Sequence, residues 1–490
     1  MKTVKSVLLG SAAGLVAVAG AQAADLPVKA APVQYVKICT LYGDGFYYIP
    51  GSDTCIKFSG YIRADWGYNA GAGATPNYYA GAAGAQDRTV ANHSTRHRGS
   101  FSIDTRTQTA YGSLRTFQTL HVSNENEGTV AVIIARAFIQ WGGFTFGRTV
   151  SFTDHEGSVG DAGFRSVYAT QADSTTGANG TNQIAYTWQL GNGVTLNVGA
   201  DERRVKSIAN WGLNVTTVGA DPTTSRAGNN HPNPWVSLRV NQAWGAASAA
   251  VVATHNQATY YNQNPAAPCA AGATGTTQCG YPADEWGWAV ISGVEVKLNM
   301  LSPGSRIGGY VNYGVGATAY TGGLLVSPGL FGSGNQVAWG VVTDAVYFNG
   351  SSLQQTTSWS AGGGFEYFWT RNFSSTIYGT YAEVKYNSTV VNGRWFCGGG
   401  PSANQNIILT AATRCDPSFK YFTVGTHHDW FPVPGLRFVV DVLYTGIETA
   451  TESATISLSK AQGARPTGSY TAKNLGITSV VFRAIRSWGG

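Results

Sequence analysis

Along Thr181 to Leu190 apolar and polar residues alternate, with Ile184, Tyr186, Trp188 and Leu190 on one parity and Gln183, Ala185, Thr187 and Gln189 on the other. Successive side chains of a strand face opposite sides, so this spacing predicts a β-strand with one apolar and one wet face. Gly191-Asn192-Gly193 follows, residue types that tolerate positive φ, and Val194, Leu196 and Val198 then alternate with Thr195, Asn197 and Gly199. The two segments form a hairpin. The pattern is also present near the start, where Ile56, Phe58, Ile62 and Trp66 oppose Lys57, Ser59, Tyr61 and Arg63. It returns where Val236, Leu238 and Val240 oppose Ser237, Arg239 and Asn241, and where Leu436, Phe438, Val440, Val442 and Tyr444 alternate with Arg437 and Asp441.

Segments of this kind number about sixteen, enough for one large closed barrel with strands of ~10 residues and connections divided between short turns and long loops. The expected fold is therefore all-β, a transmembrane antiparallel up-and-down barrel. Gly-, Ala-, Asn-, Thr- and Pro-rich stretches at Asn69 to Ala91, Thr170 to Thr181, Gly212 to Pro234 and Asn262 to Pro282 are expected as extracellular loops. Aromatic clusters at Phe365 to Trp369 and His427 to Phe431 are expected at strand ends and short turns, where interfacial girdles lie. The parity breaks in two places. Leu114 and Phe117 take opposite parities, and the last segment groups Phe482 with Arg486 but Val481 with Arg483; a register bulge or a contact between copies accounts for such breaks.

Composition narrows the setting. No stretch approaches the ~18 consecutive apolar residues of a spanning helix, and Gly245 to Ala253 is short and mostly alanine. Charged residues are 12% of the chain, about half the usual ~25%, beside 14 Trp, 25 Tyr and 20 Phe, which suits a surface that meets lipid. A net charge of +6 without a Lys/Arg run argues against a nucleic-acid partner. Residues 1–23 read as a secretory signal, with Lys2 and Lys5, an apolar run from Val7 to Gly20, and Ala21-Gln22-Ala23 before the expected cleavage. Residues 24–490 then form the barrel, with 24–54 leading into the first strand.

An exported chain meets an oxidising compartment, so the six cysteines are expected to form disulfides. Spacing favours the neighbour pairs Cys39 with Cys55, Cys269 with Cys279 and Cys397 with Cys415, although it does not exclude others. No Cys-x-x-Cys, phosphate loop, Gly-x-Ser-x-Gly elbow or His-Glu-x-x-His helix is present, so no catalytic residue, cofactor or metal is expected. His427-His428-Asp429 is read as a periplasmic turn, because adjacent strand histidines point to opposite faces and cannot readily share an ion.

Two stretches carry a family resemblance. Cys39-Thr40-Leu41-Tyr42-Gly43-Asp44-Gly45-Phe46-Tyr47-Tyr48-Ile49-Pro50-Gly51-Ser52-Asp53-Thr54-Cys55-Ile56-Lys57, running into Gly60-Tyr61-Ile62-Arg63, resembles the general porins of alphaproteobacteria. So does Arg136-Ala137-Phe138-Ile139-Gln140-Trp141 with Gly147-Arg148-Thr149-Val150-Ser151-Phe152, and the Phe365 to Tyr381 region looks similar. The resemblance implies a sixteen-stranded homotrimer in the outer membrane of a Gram-negative bacterium, embedded in lipid and lipopolysaccharide. It also implies a long third loop, here following Gly147-Arg148 to about Asn182, that folds into the lumen and sets acids against a basic wall. Barrels of this family usually finish on an aromatic residue, and Trp488 stands nearest to that position.

A pore needs no catalytic group; charges projecting into confined water set its selectivity. The loop would bring Asp154, Glu156 and Asp161, and the candidate wall cations are Arg63, Arg96, Arg98, Arg106, Arg115 and Arg136. For Arg63 and Arg136 parity supports the lumen, since a lipid-facing Arg costs ~2–4 kcal/mol at the membrane midplane. The expected function is passive diffusion of ions and small hydrophilic solutes. An adhesin or receptor acting through its extracellular loops is the alternative, and a small eight- or ten-stranded barrel of that kind would leave ~300 residues unplaced.

Overall fold

The computed structural model describes residues 37–71, 75–76, 92–155, 176–210, 226–258, 282–321, 330–333, 335–347, 351–396, 407–409, 415–458 and 466–489. Sixteen antiparallel strands close into a barrel. In chain order they are β1 (Cys55–Tyr68), β2 (His93–Thr109), β3 (Gly112–Glu125), β4 (Ala131–Trp141), β5 (Phe144–Thr149), β6 (Thr181–Gly191), β7 (Val194–Asp201) and β8 (Asn233–Gln242). They continue as β9 (Gly245–Asn256), β10 (Glu285–Lys297), β11 (Arg306–Val315), β12 (Thr357–Thr370), β13 (Phe373–Lys385), β14 (Phe419–Val433), β15 (Leu436–Thr449) and β16 (Leu475–Trp488). Each pairs with its sequence neighbours, and β1 closes the ring on β16 through the register Gly60↔Trp488 to Tyr68↔Val480. Closure leaves no sheet edge whose backbone groups would face lipid unpaired.

Short turns and longer connections alternate around the ring. The β6–β7 turn is tight because Asn192 and Gly193 take φ of 49° and 70°, the left-handed pair that matches strand twist. On the outer face Ile184, Leu190, Phe58, Ile62 and Val311 are exposed, while Gln183, Ser237, Asn312 and Asp441 on the opposite parity are buried inside. Outer aromatics gather in two belts. Trp141, Phe144, Trp188, Trp369 and Trp430 lie at the short-turn end, and Trp66, Tyr68, Trp286 and Tyr313 lie towards the long loops.

Three expectations change. His427-His428-Asp429 is not a turn: it lies within β14, whose turn falls at Pro434-Gly435. His427 and Asp429 are buried on the inner face, where the Arg437 Nε donates to Asp429 at 2.7 Å, and His428 faces out. Pro234 belongs to β8 and not to the preceding loop. The break at Leu114 and Phe117 is genuine orientation, Leu114 facing out and Phe117 facing in. The bulge comes just beyond it. Pairing shifts between Thr119 and Leu120, so Ala135 is the extra residue opposite them and Arg136 is re-aimed inwards. In β16, Phe482 faces out while Val481 and Arg483 face the interior.

The disulfide Cys39–Cys55 ties the segment before β1 to the wall, with Phe46 buried beside it. Cys415 is also disulfide-bonded. Cys269, Cys279 and Cys397, like residues 1–36 and most of the four expected loops, lie outside the described residues.

Candidate functional site

The third long connection leaves β5 at Thr149 and returns at Thr181. Its described first residues turn into the barrel. Phe152 stacks on Trp235 of β8 at 5.6 Å, and the inward Arg239 lies 5.3 Å over the Phe152 ring. Arg239 also donates to the carbonyl oxygens of Ser151, Phe152 and Asp154 at 3.1, 3.3 and 3.1 Å. One residue further, His155 stacks on Tyr310 of β11 at 4.8 Å and packs against Gly293 of β10, where a Cβ would come within 3.0 Å of the imidazole. The loop thus reaches from β5 to the β8–β11 wall. Its returning end is held by Arg136, which donates to the Gly177 carbonyl at 2.8 Å.

Asp154 does not line open water. It is buried, accepts hydrogen bonds from the Thr176 backbone and hydroxyl at 2.7 and 2.6 Å, and faces Arg204 at 3.7 Å. It is a clasp between the two ends of the loop. Burial raises its carboxyl above the usual range even though Arg204 and Thr176 pull it down. Burial, helped by Arg239, lowers His155 to about 3. Glu156 and Asp161 lie outside the described residues.

These opposite shifts give opposite pH slopes. Above pH 6.5 His155 anchors fully; below it the released ring takes up a proton that the packed ring refuses until about pH 3, costing the anchor about 1.4 kcal/mol per pH unit. Asp154 behaves inversely, because its packed carboxyl keeps a proton to higher pH than the released one, and this contribution is lost as pH rises. In Asp154→Asn, hydrogen exchange over 150–155 should therefore quicken on acidification beyond the intrinsic rate, and in His155→Phe it should slow. Matching profiles in the two variants would overturn this account.

Loop filling is not confined to the third connection. Ala317 and Tyr320, between β11 and β12, join Ala250, Val252, Ala289 and Ile291 on the inner wall of β9 and β10. Val341 and Val342 from the same connection pack with the inward Val384, Tyr421 and Ile447 of β13–β15. Asp344 fixes this arrangement. One oxygen accepts from Arg226 and the Lys206 backbone at 2.7 and 2.6 Å, the other from the Thr318 backbone and hydroxyl at 2.9 and 2.7 Å.

The remaining wall, formed by β16 and β1–β4, carries the predicted cations. Arg63 and Arg98 sit opposite each other in register, and Asp65 is shared by Arg63 and Arg483 at 3.1 and 2.6 Å. Arg98 donates to Ser123 at 2.7 Å, and Arg96 pairs with Glu125. Towards the short turns, Arg106 and Arg115 share Asp104, each at 2.9 Å. The inward positions of these five strands hold eight cations, Lys57, Arg63, Arg96, Arg98, Arg106, Arg115, Arg136 and Arg483, against the three carboxylates Asp65, Asp104 and Glu125. Arg483 and Arg239 were not singled out from the sequence. The first sits on the parity-breaking last strand, whereas the second already stood on the wet face of its strand.

A closed barrel with aromatic belts outside, ionic rows inside and loops turned into its lumen defines an outer-membrane β-barrel protein. The Porin subfamily model matches residues 25–479, so the chain belongs to this family and sits in the outer membrane of a Gram-negative cell. The chain is 34% identical over 213 residues to Porin Omp2b of Brucella suis biovar 1, and equally to that of Brucella abortus, covering 41% of this chain and 54% of each relative. The matched part thus spans about half the length of these relatives. Among solved structures, the outer membrane channel DcaP of Acinetobacter baumannii superposes with a TM-score of 0.56 over 90% of this chain and 99% of that one, at 15% identity, a likeness of fold.

Proposed function

We propose that this chain forms a water-filled pore for passive diffusion of ions and small hydrophilic solutes, without enzymatic activity, and that it acts as a homotrimer among outer-membrane lipid and lipopolysaccharide after export through the leader at residues 1–23. The observation that carries the reading is the inner wall: apolar loop cores pack on the β8–β15 side towards the long loops, while the β16 and β1–β4 side carries eight cations against three carboxylates, with Arg106 and Arg115 partly exposed. Solutes pass along that second side, past Arg63, Arg96, Arg98, Arg106, Arg115 and Arg136. Because cations outnumber carboxylates there, the confined field favours anions.

Planar-bilayer recording tests both parts. Stepwise insertions of ohmic conductance are expected, and a potassium chloride gradient should give a reversal potential on the anion side. Arg63→Gln with Arg98→Gln should move that potential towards zero while sparing the Asp65–Arg483 pair. An unmoved potential would remove these two residues from the selective wall. A silent protein that binds host surfaces would favour the adhesin or receptor reading.

A further inference from the structure

Two neighbouring rows of the inner wall near the short turns combine ions with aromatic rings. One row runs Lys57, Asp104, Phe117 and Phe138 across β1–β4; the next runs Arg106, Arg115 and Gln140 across β2–β4. Asp104 is the single carboxylate for two guanidinium groups, each keeping 28% of its side chain exposed. Lys57 donates to the Asp44 carbonyl at 3.2 Å, a partner without formal charge. The corner therefore carries excess positive charge. Phe117 and Phe138 stack at 5.4 Å with 27° between their planes, and the Arg115 guanidinium lies 5.0 and 5.4 Å from their centroids.

Phenyl rings on the wet face of a barrel oppose the pattern that builds it, since each leaves apolar surface in water at roughly 25 cal/mol per Å². Phe117 and Phe138 are only partly buried, and neither belongs to an apolar core of the described residues. Holding Arg115 in place requires no second ring, because Asp104 and Gln140 already fix three of its donor contacts. A ring pair beside two lumen-facing guanidinium groups fits a solute that has a planar ring and an anionic end.

We propose that this corner is a transit binding station for aromatic carboxylates, with the carboxylate at Arg106 and Arg115 and the ring against Phe117 and Phe138. This rests on the reading of the barrel as a pore. Asp104 holds the Nε and Nη2 donors of both guanidinium groups, so the solute carboxylate meets the Nη1 donors of Arg106 and the excess charge of the pair, and a ring laid beside the phenyl pair gains offset or edge-on contact while leaving water. Both guanidinium groups keep part of their side chains exposed, so the station slows passage without trapping the solute.

The test is single-channel recording in potassium chloride with added benzoate, acetate or cyclohexanecarboxylate. Benzoate should reduce the chloride current saturably, cyclohexanecarboxylate more weakly, and acetate scarcely. Phe117→Ser with Phe138→Ser should bring benzoate down to the acetate level while chloride conductance stays. Should that double variant fail to insert, Phe138→Leu keeps the volume and should weaken benzoate block roughly 2- to 10-fold, the range an aromatic contact is worth. Arg115→Gln should weaken benzoate block as well. Conducting channels in which benzoate and acetate act alike would overturn the station and leave the pore standing. Absence of any conductance would overturn the pore itself.

Discussion

Asp344→Ala is expected to loosen the long-loop end of the barrel by about 3–5 kcal/mol, the cost of breaking a buried ion pair from one side. Both partners are buried, and the substitution leaves the Arg226 guanidinium without its charged acceptor. Burial lowers Arg226 to about 10 even with Asp344 opposing the shift, so removing Asp344 leaves a buried cation without the charge that stabilises it. The Thr318 hydroxyl and the Thr318 and Lys206 backbone groups lose their acceptors too. The loss should stay local, because the strand ladders do not pass through Asp344. Limited proteolysis should therefore cut the connections after β7 and β11 faster, while the heat-resistant folded form of the barrel in detergent persists. Asp344→Asn should have a smaller effect, since one carbonyl oxygen still accepts from Thr318. Cleavage as slow as in the parent protein would show that the clasp adds nothing to loop order.

That clasp could not have been found in the sequence. Arg226 and Asp344 stand 118 positions apart, and Val341-Val342-Thr343-Asp344 has no alternation to mark which way it runs. Strands were legible because lipid outside and water inside impose a period of two on each of them, and that rule placed Ile184, Gln183, Arg63 and Arg239 on their correct faces. It fails where polar residues pack against one another. His427-His428-Asp429 looks like a turn because it is polar, yet its inner members belong to a buried ionic row completed by Arg437 on the next strand. Asp154 shows the same limit at the site. An acid in a loop reads as solvated, whereas its burial depends on Thr176 and Arg204, neither of which is near in sequence. Phe117 was visible as a violation of parity, and its meaning came only from the neighbours across the ladder, Asp104 and Phe138.

Arg239→Ala should free the start of the third loop and produce larger, noisier single-channel currents. Three backbone carbonyls lose their donor, and the Phe152 ring loses the guanidinium above it. Water entering behind the loop can satisfy those carbonyls, so the released form is favoured by the hydrogen bonds it regains and by the freedom of the chain. Charge alone would also alter the current. Arg239→Lys therefore serves as the control, because it keeps the cation but cannot span three carbonyls with a planar fork. It should raise noise nearly as much as alanine while leaving the reversal potential close to that of the parent. Gly293→Ala attacks the same anchor from two strands along the same wall, since its Cβ would sit 3.0–3.1 Å from His155 and push the ring off Tyr310. If Arg239 and His155 hold one loop in one position, the second substitution should add little once the first is present. Additive effects would mean separate anchors, and unchanged conductance in Arg239→Ala would show that the loop does not set the width of the path.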